Sequence, residues 1–211
     1  MAFSPQAAGA TASLEYHEQL LDAFPDLESL TVLIVSGASR DQVATALGID
    51  LNEPVGADHW VDNEVSTGWA ALEVPGGVLA IETSGYGDPT NAALRALSDN
   101  GGTAAVVRSN IDGHVRFGSA RDGELLFDDN EFMYVEDPSP VAAELRPLFD
   151  LVWEDPDCDE LDVDEIPSPF AVGLAMAELV TGIELTADDV DAVHGSQFFK
   201  TPTLVYARSL E

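Results

Sequence analysis

Between Glu154 and Glu165 the chain reads Glu-Asp-Pro-Asp-Cys-Asp-Glu-Leu-Asp-Val-Asp-Glu, its densest run of carboxylates. Asp155, Asp157 and Asp159 alternate as the first ligands of a calcium loop do. The pattern then fails: the sixth position is Glu160 where the sharp turn requires glycine, and the twelfth is Ile166 where a bidentate glutamate belongs. The reading is therefore a solvated acidic loop at about 154–167 with no calcium site. Asp155, Asp157, Asp159, Asp162 and Asp164 are the candidate partner-binding residues, because like charges held in one loop steer a basic surface toward it.

Other chemistries find less support. His17, His59, His114 and His194 are far apart, with no His-x-His or His-Glu-x-x-His pair, so no zinc site is expected. There is no Gly-x-Ser-x-Gly elbow. The single cysteine, Cys158, sits among carboxylates, which disfavour the thiolate needed for attack. Gly85-Tyr-Gly87 and Gly101-Gly102 are too sparse for a phosphate cradle, and Asp88 repels phosphate at the helix start. Trp60, Trp69, Trp153, Phe198 and Phe199 form a candidate aromatic binding set, with Trp69 better read as core. No catalytic, cofactor or metal residue is assigned.

The composition points the same way. Thirty-nine acidic residues face eight basic ones, a formal net charge of -31 over 211 residues. Hydrophobic residues make up 45%, so a core is available and the charge does not imply a disordered chain. Seven scattered arginines and Lys200 give no basic patch, which argues against direct nucleic-acid binding. Anionic membrane surfaces are disfavoured by the same charge, and a basic protein is the favoured partner. Half of the excess, -16, falls in the 44 residues from Asp122 to Glu165. One cysteine excludes an internal disulfide framework. No positive residue precedes Arg40 and no long apolar run opens the chain, so no signal peptide is read and the expected location is the cytoplasm.

The elements that must position these groups are legible from periodicity and punctuation. Residues 1–12 are small and aperiodic and read as disordered, with a single α+β domain over 13–211. Ser13 can cap a helix carrying Leu14, Leu20, Leu21 and Phe24, which Pro25 ends. Leu30–Val35 is a continuous apolar run, the mark of a buried strand. Ser39 and Gln42 make a capping-box pattern for a short helix stopped by Gly48. Thr67–Val74 and Val78–Glu82 flank a Pro-Gly-Gly turn, and a helix from Asp88-Pro89-Thr90 closes at Gly101-Gly102. Thr103–Ser109, His114–Ala120, Glu124–Phe127 and Phe132–Val135 read as a meander of three or four strands. The last third is helical: Ser139–Trp153 with Pro147 starting or kinking part of it, a helix from Ser168-Pro169 to Gly182 apolar all round, and a short helix capped by Thr186 and running to His194. Thr203–Ala207 is a candidate returning strand. The predicted class is α+β, a mainly antiparallel sheet flanked by helices.

Several blocks in order carry a resemblance: Gly68-Trp69-Ala70 with Leu72-Glu73; Leu94 to Ser98 followed by Gly101-Gly102; Asn110, Arg116-Phe117 and Ala120 to Gly123; and Ala177 to Gly182 with Leu185-Thr186. Together they resemble an uncharacterised bacterial domain family of unknown function, over roughly Leu30 to Asp191. The resemblance supports the fold and carries over no activity and no site residue.

The function expected from these readings is a non-enzymatic, acidic cytoplasmic binding protein, of the inhibitor or immunity type, acting on a basic partner. Three alternatives stand beside it: a DNA-mimic inhibitor, an enzyme with an unrecognised Asp/Glu-His site, and acidity that reflects salt adaptation only. The oligomeric state is not legible.

Overall fold

A computed structural model describes residues 14–24, 26–61, 66–152 and 167–202. Among the described residues nine antiparallel strands form one sheet: β1 (Leu30–Ser36), β2 (Pro54–Val55), β3 (Trp60–Val61), β4 (Ser66–Val74), β5 (Gly77–Glu82), β6 (Thr103–Ser109), β7 (Val115–Arg121), β8 (Glu124–Asp129) and β9 (Phe198–Pro202). Their order is β2-β9-β4-β5-β1-β6-β7-β8, with β3 also on β4. Six α-helices accompany it: α1 (residues 14–20), α2 (Arg40–Leu47), α3 (Asn91–Leu97), α4 (Arg146–Phe149), α5 (Pro169–Thr181) and α6 (Ala187–His194). The class is the α+β fold expected.

Helices cover both faces of the sheet. Leu30, Val32 and Ile34 point to one side, where they meet α1, α4, α5 and α6. Leu33 and Val35 point to the other, where α2 and α3 supply Val43, Leu47, Leu94 and Leu97. Successive strand residues face opposite sides. A central strand with both sides covered must therefore bury every side chain, which is why 30–35 is apolar apart from Thr31, whose buried hydroxyl is bonded to Glu82. The helix α5 is buried from Phe170 through Ala177. It approaches β6 so closely that a Cβ on Gly173 would lie 2.7 Å from Val107 Cγ1.

The punctuation read from sequence sets the element ends. Ser39 and Gln42 form the capping box of α2, Thr186 and Asp189 that of α6. Gly48 and Gly182 stop α2 and α5 at φ +70° and +69°, the left-handed conformation glycine adopts without steric cost. Thr90, two residues past Asp88, is the N-cap of α3.

Two expectations are corrected. Phe132–Val135 is not a strand: Phe132–Tyr134 is a 3-10 turn, because Phe132 turns inward between Phe117 and Phe149. The meander therefore has three strands, β6-β7-β8. The helix expected over Ser139–Trp153 reduces to Arg146–Phe149, with Pro147 in its first turn where a missing N–H costs nothing. A strand that the sequence did not mark forms at Phe198–Pro202, and the expected strand Thr203–Ala207 lies outside the described residues, along with 1–12, Ser13, Pro25 and 153–166.

Candidate functional site

The acidic run that opened the sequence reading, with Asp155, Asp157, Cys158, Asp159, Asp162 and Asp164, lies outside the described residues. What is described of the acidic region is its first part. From Asp122 to Val152 there are nine carboxylates and one basic residue, Arg146. They run along β8, at the end of the sheet order, and the irregular chain after it. Ser139 donates to Asp137 from its backbone N (2.9 Å) and its hydroxyl (2.8 Å), and these bonds hold the Asp137 carboxyl below its ordinary range. Arg121 pairs with Glu144 (2.9 Å) and Arg146 with Asp150 (3.1 Å). Of the remaining carboxylates of this region Asp122, Glu124 and Glu136 are exposed, the half-buried Asp129 accepts from the Glu131 backbone N–H (2.8 Å), Asp128 pairs inward, and Glu131 meets His114 Nδ1 at 3.2 Å.

At the other end of the strands the chain buries charge. Glu82, the last residue of β5, has no exposed surface. Its carboxylate accepts from the hydroxyls of Thr67 on β4, Ser84 and Thr31 on β1, and from the backbone N–H of Ser84 (2.8 Å) and Gly87 (3.2 Å). These donors are all neutral. They tie the segment 83–90 across the strand ends. Gly87 is pressed against the sheet: a Cβ there would lie 2.6 Å from Trp69 Nε1 and 2.7 Å from Glu82 Cγ.

Beside it, Arg116 on β7 is fully buried. It donates Nε to Asp128 on β8 (2.8 Å), and Nη1 to Asp88 and to the Pro89 carbonyl (2.8 Å). Arg108 on β6 donates Nε to the Gly85 carbonyl (2.6 Å) and lies 3.7 Å from Asp88 Oδ2. Two guanidinium groups and two carboxylates thus neutralise one another and clamp 85–91 onto the β6-β7-β8 meander. Burying a charge is costly unless it is paired and hydrogen-bonded, and here both conditions hold. The assembly clamps the loop with its carboxylates directed at fixed donors, while Arg108 also lines a groove with Ser29, Ser84 and Asn110.

Sequence reasoning missed this cluster. Arg108 and Arg116 stand inside the apolar runs TAAVVRS and VRFGSA, and Glu82 ends VLAIE. Long charged residues in otherwise buried strands demand buried partners, and that was the available signal.

The histidines stay apart. His17 Nε2 lies 3.1 Å from Glu178 beneath α1, His59 Nε2 is 3.2 Å from Ser66 Oγ, and His194 sits in the last turn of α6 edge-on to Phe198. Among the described residues no group of three His, Cys, Asp or Glu could hold a metal ion. The aromatic set divides: Trp69 is core as expected, Phe198 is buried in the α5-side core, and Phe199 lies under the Arg40 guanidinium at 5.6 Å. Phe198-Phe199 therefore packs on both faces of the sheet at β9, with Phe199 half-buried. Trp153 lies outside the described residues. No helix among the described residues is long and apolar enough to cross a membrane.

Residues 10–198 match the model of a family of unknown function, DUF6461, and the chain belongs to that family. The match is wider than the Leu30–Asp191 span that the motif blocks marked. No curated protein and no solved structure matches the chain.

Proposed function

We propose that this DUF6461 chain is a non-enzymatic, cytoplasmic binding protein, of the inhibitor or immunity type, that occludes a basic protein partner and makes no direct contact with nucleic acid. The observation that carries the reading is the state of its cations. Of eight basic residues, Arg108, Arg116, Arg121, Arg146 and Lys200 are each paired with the chain's own carboxylates, and Arg40 is stacked on Phe199. Among the described residues most of the carboxylates left over are exposed, the buried Glu82 excepted, and nine of the chain's acids crowd the described stretch from Asp122 to Val152 against one arginine. Such a field attracts a basic surface and repels phosphate.

One observation favours the plainer alternative, salt adaptation. Exposed carboxylates also occur on both helical layers, at Glu15 and Glu18 on α1, Asp41 on α2, and Asp188 and Asp191 on α6. The two readings separate in one experiment. The full chain is immobilised at low salt in host lysate and the retained protein identified and purified. Two variants are then compared for its binding: Glu124→Gln/Asp129→Asn/Glu136→Gln/Asp137→Asn, and Glu15→Gln/Glu18→Gln/Asp188→Asn/Asp191→Asn. The binding reading expects the first to lose affinity and the second to keep it. Equal loss, or no retained protein, leaves salt adaptation. Displacement of the partner by DNA would turn the reading to a DNA mimic.

A further inference from the structure

We infer that the trough between α2 and α3 is a receptor slot for an arginine or lysine side chain of the basic protein partner; this rests on the binding reading above. The trough has a volume of about 430 Å³. Leu97, buried, and the half-buried Ala38 and Ala46 give it an apolar floor, and Ala96 adds a small wall. Asp41 and Asp99 stand at its rim, both exposed, and neither has an ion-pair partner among the described residues. The arginines of the two helices do not line it: Arg40 is held over Phe199, and Arg95 is absent from its walls.

That combination fits one kind of side chain. Lysine and arginine lay an aliphatic stem on apolar surface while the charged head stays among carboxylates and water. Small alanine walls leave room for the stem, and two uncompensated carboxylates receive the head. An anion would meet two like charges, and a plain apolar side chain would leave both carboxylates beside it with nothing gained.

Position adds the second argument. The trough lies at the end of the sheet where the β7–β8 turn begins the acidic region. A Cβ on Gly123 would lie 3.5 Å from Asp99 Oδ1, and one on Gly101 would lie 3.9 Å from Asp122 Oδ1. The slot is therefore continuous with Asp122 and Glu124. Anchored side chains filling pockets carry most of the energy of protein interfaces, with arginine prominent among them. The grooves at the opposite end of the sheet have Arg108 in one wall or the apolar Leu27, Ile111 and Phe170, and suit a cation less.

The test titrates the full-length, isotope-labelled chain with tetra-arginine peptide at low salt, following backbone amide signals. The largest shifts are expected at Ala38, Ala46, Ala96, Asn100 and Gly123. The variant Asp41→Asn/Asp99→Asn should raise Kd about tenfold, while Glu15→Gln/Glu18→Gln, the same change in charge, should move it less than about twofold. Ala46→Phe, which fills the trough without touching charge, should weaken binding while circular dichroism stays native. Shifts spread over every carboxylate-bearing surface, or equal weakening by the two charge variants, would overturn the slot. Spermine binding at the same residues as tightly as the peptide would also overturn it, in favour of a small amine. If the basic partner captured in lysate binds Asp41→Asn/Asp99→Asn unchanged yet loses affinity for the Glu124 set, the slot fails and the binding reading stands. If neither peptide nor partner binds, both fail.

Discussion

Arg116 shows how one side chain can hold a loop. Its guanidinium is shared among Asp88, Asp128, the Pro89 carbonyl and Asn91. Removing it takes the buried guanidinium away from two carboxylates that are 4% and 9% exposed, with Arg108 still 3.7 Å from Asp88. Arg116→Met should therefore cost about 3–5 kcal/mol in urea unfolding, far more than its loss of packing. Adding Asp88→Asn and Asp128→Asn should recover a good part of that; no recovery would mean the cost is steric. Tyr16 makes a second prediction at this scale. Its hydroxyl donates to the Leu185 carbonyl at 2.6 Å, and burial, then Glu184, Glu178 and Asp189, push its pKa above the ordinary value. A raised folded-state pKa means the stabilisation is complete below about pH 10, the unfolded value, and is lost as pH rises through the folded one. The stability of the native chain should fall on that alkaline limb, and Tyr16→Phe should flatten it while losing about 1 kcal/mol at neutral pH. A limb of unchanged steepness in Tyr16→Phe would assign it to other groups. Little of this was legible in the sequence, because pairing of Arg116 with Asp88 and Asp128 depends on which strands become neighbours. The three positions share no periodicity.

Elements were more legible than sites because their ends are written locally. The Ser39/Gln42 and Thr186/Asp189 capping boxes and the glycines at 48 and 182 act within four residues, and each stands where the sequence places it. Where the sequence misled, a tertiary contact had overridden a local pattern: Phe132 left the strand alternation to pack on Phe117 and Phe149. Caps also differ in what they contribute. The Thr186 hydroxyl accepts from Asp189 N at 3.2 Å, while Ser168 makes no side-chain cap bond and Pro169 follows it. Thr186→Ala should cost about 1 kcal/mol and Ser168→Ala only a few tenths, a contrast that chemical denaturation of the two variants reads directly. Gly173 decides between two opposed effects inside α5. Alanine there gains up to about 1 kcal/mol in helix propensity. Its Cβ would meet Val107 Cγ1 at 2.7 Å, and overpacking of a tight core costs about 1–3 kcal/mol. The clash should win, so Gly173→Ala should be destabilised and Gly173→Ala/Val107→Ala partly rescued; a stable single variant would show that α5 can slide on β6.

At the scale of the whole molecule, the charge is denser in sequence than it is in space. The run from Asp122 to Glu165 concentrates it along the chain, yet α1, α2 and α6 also carry exposed carboxylates. The fold therefore lives under self-repulsion from several directions at once. Added salt acts on two opposing terms. It screens the exposed pairs Arg121–Glu144, Arg146–Asp150 and Lys200–Glu53, each worth about 0–1 kcal/mol. It also screens the repulsion of a chain at -31, as the Debye length falls from about 30 Å at 0.01 M to about 3 Å at 1 M. The Arg116 cluster is buried and escapes both. With three exposed arginine or lysine pairs among the described residues against so large an uncompensated charge, relief of repulsion should dominate. Thermal unfolding at neutral pH should then give a Tm that climbs steadily with sodium chloride from 0.01 M to 1 M, steepest at the low end where the Debye length changes most. The four-carboxylate variants Glu124→Gln/Asp129→Asn/Glu136→Gln/Asp137→Asn and Glu15→Gln/Glu18→Gln/Asp188→Asn/Asp191→Asn should both start from a higher Tm at low salt and show a shallower climb. If the first set relieves more repulsion than the second, the edge at β8 is the electrostatic centre of the surface, as a docking face requires. A flat or falling Tm in the native chain would mean that the carboxylates are too far apart to oppose folding, and the charge would then act on partners alone.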